Sequence, residues 1–174
     1  MLPLGTSAPD FTLLDTVSDQ RRSLAELRSD RATVIMFICN HCPYVKHVQQ
    51  GLVALANDYR ARGASFIAIS SNDARNYPAD APDKMKAEAL DHGYPFPYLY
   101  DEDQSVARAY DAACTPDFYL FDGAMKLVYR GRMDDATPGN DRPVTGADLR
   151  AALDAVLAGQ PVSPHQSPSL GCNI

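Results

Sequence analysis

Apolar positions change period several times along this chain, and the changes mark its elements. Thr33-Val34-Ile35-Met36-Phe37-Ile38 is a nearly continuous apolar run, which predicts a strand buried on both faces. After Pro43 the period becomes helical, with Val45, Val48, Leu52, Leu55 and Tyr59 at three- and four-residue steps and an end near Gly63. Ala64-Ser65-Phe66-Ile67-Ala68-Ile69 predicts a second buried strand. Asp83 to His92 predicts a helix stopped by Gly93, Pro97 to Tyr100 a short extended piece, and Gln104 to Asp111 a short helix. Phe118–Phe121 and Lys126–Tyr129 flank Asp122-Gly123, a hairpin signal in which Gly123 is the residue able to take positive φ. Gly146 to Leu157 predicts a last amphipathic helix, closed by Gly159. From Gln160 to Ile174 a tail with Pro161, Pro164 and Pro168 is expected to wrap the surface without regular structure. The order β-α-β-α-β-α, hairpin, helix fits a single mixed sheet with helices on both faces. The expected division is one domain over 1–159 and a Pro-rich tail over 160–174 packed on it.

Composition narrows the functions. The chain has 174 residues, 45% hydrophobic and 22% charged, ordinary for one globular domain. Net charge is −6 with no basic block, which argues against nucleic acid as a partner. No run of about 18 apolar residues predicts a membrane span, and Met1 to Asp10 lacks the basic start and apolar core of a secretory signal. A cytoplasmic setting is therefore expected. Four cysteines, Cys39, Cys42, Cys114 and Cys172, are too few for a disulfide scaffold, so a close pair points to redox or metal chemistry.

The close pair is Cys39-Asn40-His41-Cys42-Pro43. Two helix registers are open to it. If Cys39 caps the helix, Pro43 falls inside, where it lacks the N–H that should bond back to Cys39 and its ring crowds that carbonyl. If Cys42 is the cap, Pro43 is the first helical residue, where proline is favoured. The stripe that begins at Val45 agrees with the second register. A thiol at a helix N-terminus faces free N–H groups and the positive end of the dipole. Its pKa falls from about 8.5 toward ~3.5–7.5. Cys42 is thus the expected attacking sulfur, with Cys39 three residues back to close a disulfide, and His41 either tuning the pair or facing solvent.

These residues resemble the thioredoxin superfamily, on the branch shared by peroxiredoxins of the alkyl hydroperoxide reductase/thiol-specific antioxidant type and TlpA-like thiol–disulfide oxidoreductases. Gly5-Thr6-Ser7-Ala8-Pro9-Asp10-Phe11-Thr12-Leu13 resembles that branch's G-x-x-A-P-D-F-x-L opening. Cys114-Thr115-Pro116-Asp117-Phe118-Tyr119-Leu120-Phe121-Asp122 resembles the cis-proline segment that enters a strand opposite the attacking cysteine. Asn40-His41-Cys42-Pro43, Ser71-Asn72-Asp73 and the ending Gly171-Cys172-Asn173-Ile174 resemble a subgroup of redoxin-domain proteins. The resemblance implies a thioredoxin-like α/β fold over about residues 3–158 and a cis peptide between Thr115 and Pro116. It also implies a backbone edge there that pairs with a bound peptide or thiol substrate.

Departures from that pattern rank the activities. A peroxiredoxin carries P-x-x-x-T-x-x-C before its attacking cysteine. Counted back from Cys42, the threonine position holds Cys39 and the proline position Ile35. No arginine stands near Pro116; Arg130 and Arg132 come one strand later. The threonine and arginine of the family hold peroxide and stabilise charge on its oxygens. The leading expectation is therefore a thiol–disulfide oxidoreductase in which Cys42 attacks and Cys39 resolves. A thiol peroxidase follows, its sulfenic acid on Cys42 condensing with Cys39, Cys114 or Cys172. A metal-binding role for Cys39, His41 and Cys42 with His47, Cys114 or Cys172 comes third. No cofactor is implied. Partners would be a disulfide-bearing protein or a small thiol or peroxide, and a thioredoxin- or glutathione-type reductant. Cys114 reads equally as a third redox sulfur and as a small buried residue. Cys172, on the tail, could fold back toward Cys114, reach the second subunit of a homodimer, or stay a free thiol. Tyr98, Tyr100, Tyr119 and Tyr129 read as core, and Asp101-Glu102-Asp103 and Asp134-Asp135 as acidic loops.

Overall fold

The structure is a computed structural model and describes residues 1–174. In chain order it runs β1 (Thr12–Asp15), β2 (Gln20–Ser23), α1 (Leu24–Leu27), β3 (Ala32–Phe37), α2 (Pro43–Arg60), β4 (Ala64–Ser70) and, after a 3-10 turn at Pro78–Asp80, α3 (Pro82–Asp91). Then come β5 (Tyr98–Tyr100), α4 (Ser105–Ala109), β6 (Cys114–Thr115), β7 (Asp117–Asp122), β8 (Leu127–Gly131), α5 (Ala147–Leu157) and β9 (Cys172–Asn173). Seven strands form one sheet in the order β2-β1-β5-β4-β3-β7-β8, and β6 and β9 form a separate pair. β3, β4 and β5 are parallel, whereas β7, β8, β1 and β2 join antiparallel. This is a thioredoxin-like mixed sheet flanked by helices.

Strand alternation divides the interior into two cores. Val34, Met36 and Ile38 point to one face, where they meet Val45, Val48, Leu52, Leu55 and Tyr59 of α2, Met85 of α3 and Leu149 and Leu153 of α5. Ile35 and Phe37 point to the other face, onto Tyr110, Tyr119 and Phe121, whose rings pack edge to face. Both faces of β3 are fully buried, which is why its sequence does not alternate.

Three local expectations are corrected. The N-terminal segment is a hairpin, β1–β2, followed by the short α1 with Ser23 as its cap, where no regular element was expected. Its residues Gln20-Arg21-Arg22-Ser23 carry no apolar period because that edge strand faces solvent. In the β7–β8 turn the positive φ belongs to Met125, not to Gly123. Gly123 is needed for another reason: a Cβ there would overlap the carbonyl oxygen of Asp30. Finally, the tail is irregular only to Gly171. Cys172–Asn173 pairs antiparallel with Cys114–Thr115.

That last pairing locates the site. β3 ends at Phe37, directly opposite Asp117 of β7. Two residues beyond Phe37 is Cys39, and two residues before Asp117 is Thr115, so the chain leaving β3 and the chain entering β7 run side by side. α2 starts at the same end, the carboxyl end of the parallel strands, where ligands of open α/β sheets bind.

Candidate active site

Cys42 is the N-cap of α2, with extended backbone, and Pro43 is the first helical residue. The Cys42 carbonyl accepts from the backbone N–H groups of Val45 at 3.1 Å and Lys46 at 3.0 Å. The cap position makes no side-chain hydrogen bond of the Ser or Asp kind. Its sulfur is left to meet the other sulfurs instead.

Three thiols converge there, and Cys42 is the acidic one. Hydrogen bonding from Cys39 is the main cause that lowers the Cys42 pKa to about 4, against the opposing effect of burial; bonds from Cys172 and Thr115 add to it. Cys39 is displaced the other way, upward, by the same hydrogen bond and by burial. Cys39 Sγ is 3.5 Å from Thr115 Oγ1, and Cys42 Sγ is 3.4 Å from the Thr115 carbonyl, which accepts when Cys42 is a thiol. The Thr115–Pro116 peptide is cis, as the resemblance implied. Cys172 Sγ lies 2.7 Å from Cys42 Sγ, and the two are free cysteines. Burial and then its bond to Cys42 raise the Cys172 thiol to about 11. Cys42 is wholly buried under this third sulfur.

Cys114 does not join the cluster. Its sulfur makes only long contacts, 4.0 Å to the Pro116 carbonyl and 3.9 Å to the Ser169 carbonyl. Burial, and then Asp117, push it up to about 12.

His41 faces neither bulk solvent alone nor the sulfurs as a hydrogen-bond partner. Its Nδ1 is bonded to Asp80 Oδ2, and its ring stacks on Tyr77 at 4.5 Å between centroids. Asp80 is the site residue that no sequence signal singles out. It is completely buried and accepts from the Asn40 N–H (2.8 Å), the His41 N–H (3.2 Å), His41 Nδ1 and Asn72 Nδ2 (3.3 Å). It therefore fixes the backbone of the loop between the two cysteines. Tyr98 reinforces that loop through its hydroxyl, which donates to Asn40 Oδ1 at 2.9 Å. An aspartate in an Ala-Asp-Ala-Pro run carries no sequence signal; the marker Ser71-Asn72-Asp73 pointed only to its neighbour Asn72.

Ligand atoms of Cys39, His41 and Asp80 lie within 4.8 Å of one another. Both Asp80 oxygens and His41 Nδ1 are already engaged in the loop, so a metal there would have to undo the bonds that hold it. Neither Arg130 nor Arg132 forms a hydrogen bond with the sulfurs, although Arg132 lines a pocket with Tyr44 and Pro116. Arg130 pairs with Tyr119, a residue of the opposite core from Cys42, and Arg132 Nε donates to Asp148 at 2.6 Å. Of the acidic pairs, Asp101 is buried and caps α4 through the N–H groups of Val106 and Ala107. Asp134 is likewise buried and accepts from Thr145 and Gly146.

A thioredoxin-like sheet with a cysteine capping its first long helix, opposite a cis-proline, defines a thiol redox protein. Residues 4–130 match the AhpC/TSA family, and the chain belongs to that family. Its structure superposes on that of an uncharacterized conserved protein from Geobacillus kaustophilus with a TM-score of 0.98 at 61% identity, covering 100% of this chain and 92% of that one. A hypothetical protein from Sinorhizobium meliloti 1021 gives 0.97 at 49% identity, covering 100% and 94%. A peroxidoxin from Mycobacterium tuberculosis shares the fold, with a TM-score of 0.67 at 19% identity over 91% of this chain and 98% of that one. Among curated proteins none matches the chain. No helix is long and apolar enough to cross a membrane.

Proposed function

We propose that the protein is a thiol–disulfide oxidoreductase in which the Cys42 thiolate attacks a substrate disulfide. The observation that carries this reading is the helix-capping Cys42, its pKa lowered to about 4 beside protonated Cys39. Attack forms a mixed disulfide on Cys42 and expels the other substrate sulfur as a thiolate. A second sulfur of the site then resolves the mixed disulfide; Cys39, next to Cys42, is the one the local sequence offers. A thioredoxin- or glutathione-type thiol would return the protein to its reduced form.

The test is the rate at which the reduced protein reacts with oxidised glutathione as a function of pH. Cys42 is a thiolate above about pH 4, so the rate should be level from about pH 5 to neutrality and fall only in stronger acid. An ordinary thiol, with pKa about 8.5, would instead gain about tenfold per pH unit across that range. Loss of the level region in Cys42→Ser supports the assignment; a steep rise in the wild type would reject it.

Family membership supports a second reading, a peroxidase with Cys42 as the peroxide-reacting sulfur. Cys39 at the threonine position and the engagement of Arg132 with Asp148 weigh against it. Stopped-flow peroxide consumption no faster than that of a free thiol of the same pKa would dismiss it.

A further inference from the structure

The C-terminal segment is anchored along a line that ends on the reactive sulfur. Gln166 bridges β8 through its side chain, accepting from Arg130 N–H at 3.1 Å and donating to the Val128 carbonyl at 2.9 Å. The Arg132 N–H donates to the Ser167 carbonyl at 3.1 Å, and Ser169 Oγ donates to Asp117 at 3.0 Å. Gly171 then passes so close to Thr115 that a Cβ would overlap the Thr115 carbonyl oxygen. β9 follows on β6, with Cys172 opposite Thr115 and Asn173 opposite Cys114, and the Ile174 N–H donates to the Ala113 carbonyl at 3.3 Å. Cys172 arrives at Cys42 with its sulfur within an ångström of the about 2.05 Å of a disulfide.

Two features make this more than a docked tail. β6 offers a single free backbone edge beside Cys42, and β9 occupies it in the way that an extended peptide is captured by strand addition. Cys39, by contrast, is buried and holds its hydrogen bonds from inside the core. Cys172 is only partly buried and sits on a tail outside the core, so it can shift to line up with Cys42 Sγ opposite the departing sulfur, which Cys39, fixed at the end of β3, cannot do as freely.

Resting on the oxidoreductase reading above, we propose that Cys172 is the resolving cysteine and that β9 is a detachable strand sharing its docking edge with the substrate chain. β9 leaves β6, and the substrate disulfide R–S–S–R′ takes its place. The Cys42 thiolate attacks one sulfur, forming Cys42–S–S–R and releasing R′–S⁻, which takes a proton from water. β9 then returns. The Cys172 sulfur attacks Cys42 Sγ, forming Cys42–S–S–Cys172; the proton of Cys172 passes to the departing R–S⁻. The substrate is reduced by two electrons to two thiols, and the Cys42/Cys172 pair is oxidised. An external dithiol or low-molecular-weight thiol resets the pair. Cys39 remains a thiol throughout, as donor to the Cys42 sulfur. Re-pairing of β9 with β6 both completes the exchange and evicts the product.

One molar equivalent of 5,5′-dithiobis(2-nitrobenzoate) added to the reduced full-length protein tests this. The wild type should release both halves of the probe, and a peptide map without reductant should contain a Cys42–Cys172 link. Cys172→Ala should release half as much chromophore and keep the other half on Cys42. Cys39→Ala should still release both halves, with a slower first step. Gly171→Val, whose side chain cannot pass Thr115, should quicken the first release and delay the second. Full release by Cys172→Ala with a Cys39–Cys42 link would overturn the proposal, as would wild-type timing of the second release in Gly171→Val. A Cys42→Ala protein that reacts as fast as the wild type would instead overturn the oxidoreductase reading itself.

Discussion

Two segments meet at the Cys42 sulfur, and they are held by different means. The start of α2 is bound into the core: Val45, Leu52 and Leu55 are buried against β3 and β4, and the preceding loop is pinned by buried Asp80. The C-terminal strand lies on the outside, joined by a two-residue ladder and a few polar contacts, with Leu170 well exposed. Burying a leucine fully is worth about 1.5–3 kcal/mol, so α2 cannot move without loss of the whole fold. The tail can detach at the free energy of a local opening. A redox centre needs that asymmetry: a fixed nucleophile and a cover that comes away.

The sharpest way to break the contrast is to weaken the fixed side. Leu52→Ala should cost about 2–5 kcal/mol of global stability in urea unfolding, whereas Leu170→Ala should change it by no more than about 0.5 kcal/mol. Equal effects would remove the distinction between anchored and detachable halves. Next, Asp80→Asn keeps an oxygen for the Asn40 and His41 N–H groups but turns the acceptor of Asn72 Nδ2 and His41 Nδ1 into a donor, and should cost about 1–3 kcal/mol. The same variant should alter the pH profile of Cys42, since Asp80 also acts on Cys39.

Asp117 sharpens the comparison from the tail's side. Burial raises it to about 6, against the hydrogen bonds from Ser169 and Tyr119. The native protein therefore holds this proton more tightly than the unfolded chain, whose aspartates titrate near about 3.9. Its contribution to stability is fully present below about pH 4 and is lost as the pH rises through about 6. Asp117→Asn should thus gain about 1–2 kcal/mol over the wild type at pH 8 and nothing at pH 4, read by denaturation at the two pH values. Gly171→Val should cost only the local free energy that docks the tail, well below the cost of Leu52→Ala, while amide exchange at Cys172, Asn173 and Ile174 speeds up and that of α2 does not.

Much of the fold could be read in advance because its signals are local. The buried strands around Ile35 and Ile67 and the stripe of α2 follow from periodicity, which burial imposes residue by residue. β2 is an exposed edge strand that needs no apolar face, and β1 has only Leu13 and Leu14 between polar residues, too short a stretch to show a period; positive φ at Met125 carries no residue signal, since glycine is the residue that favours it. At the site, the placing of Cys42 at the helix cap was legible, since proline tolerates only the first turn. Asp80 was not legible. Its role depends on donors from Asn40, His41 and Asn72, which no sequence spacing brings together.

The sequence by itself determined the order of elements, the helix start at Pro43 and hence which cysteine faces the helix dipole. Those features rest on backbone sterics and on the period of burial, and both act over a few residues. Only the tertiary structure decided which sulfur meets Cys42 from outside. Cys172 is 130 residues away along the chain, and its place is set by the β6 edge and by the close passage of Gly171 over Thr115. Contacts of that range depend on how the whole sheet presents its edges, which the local pattern does not encode.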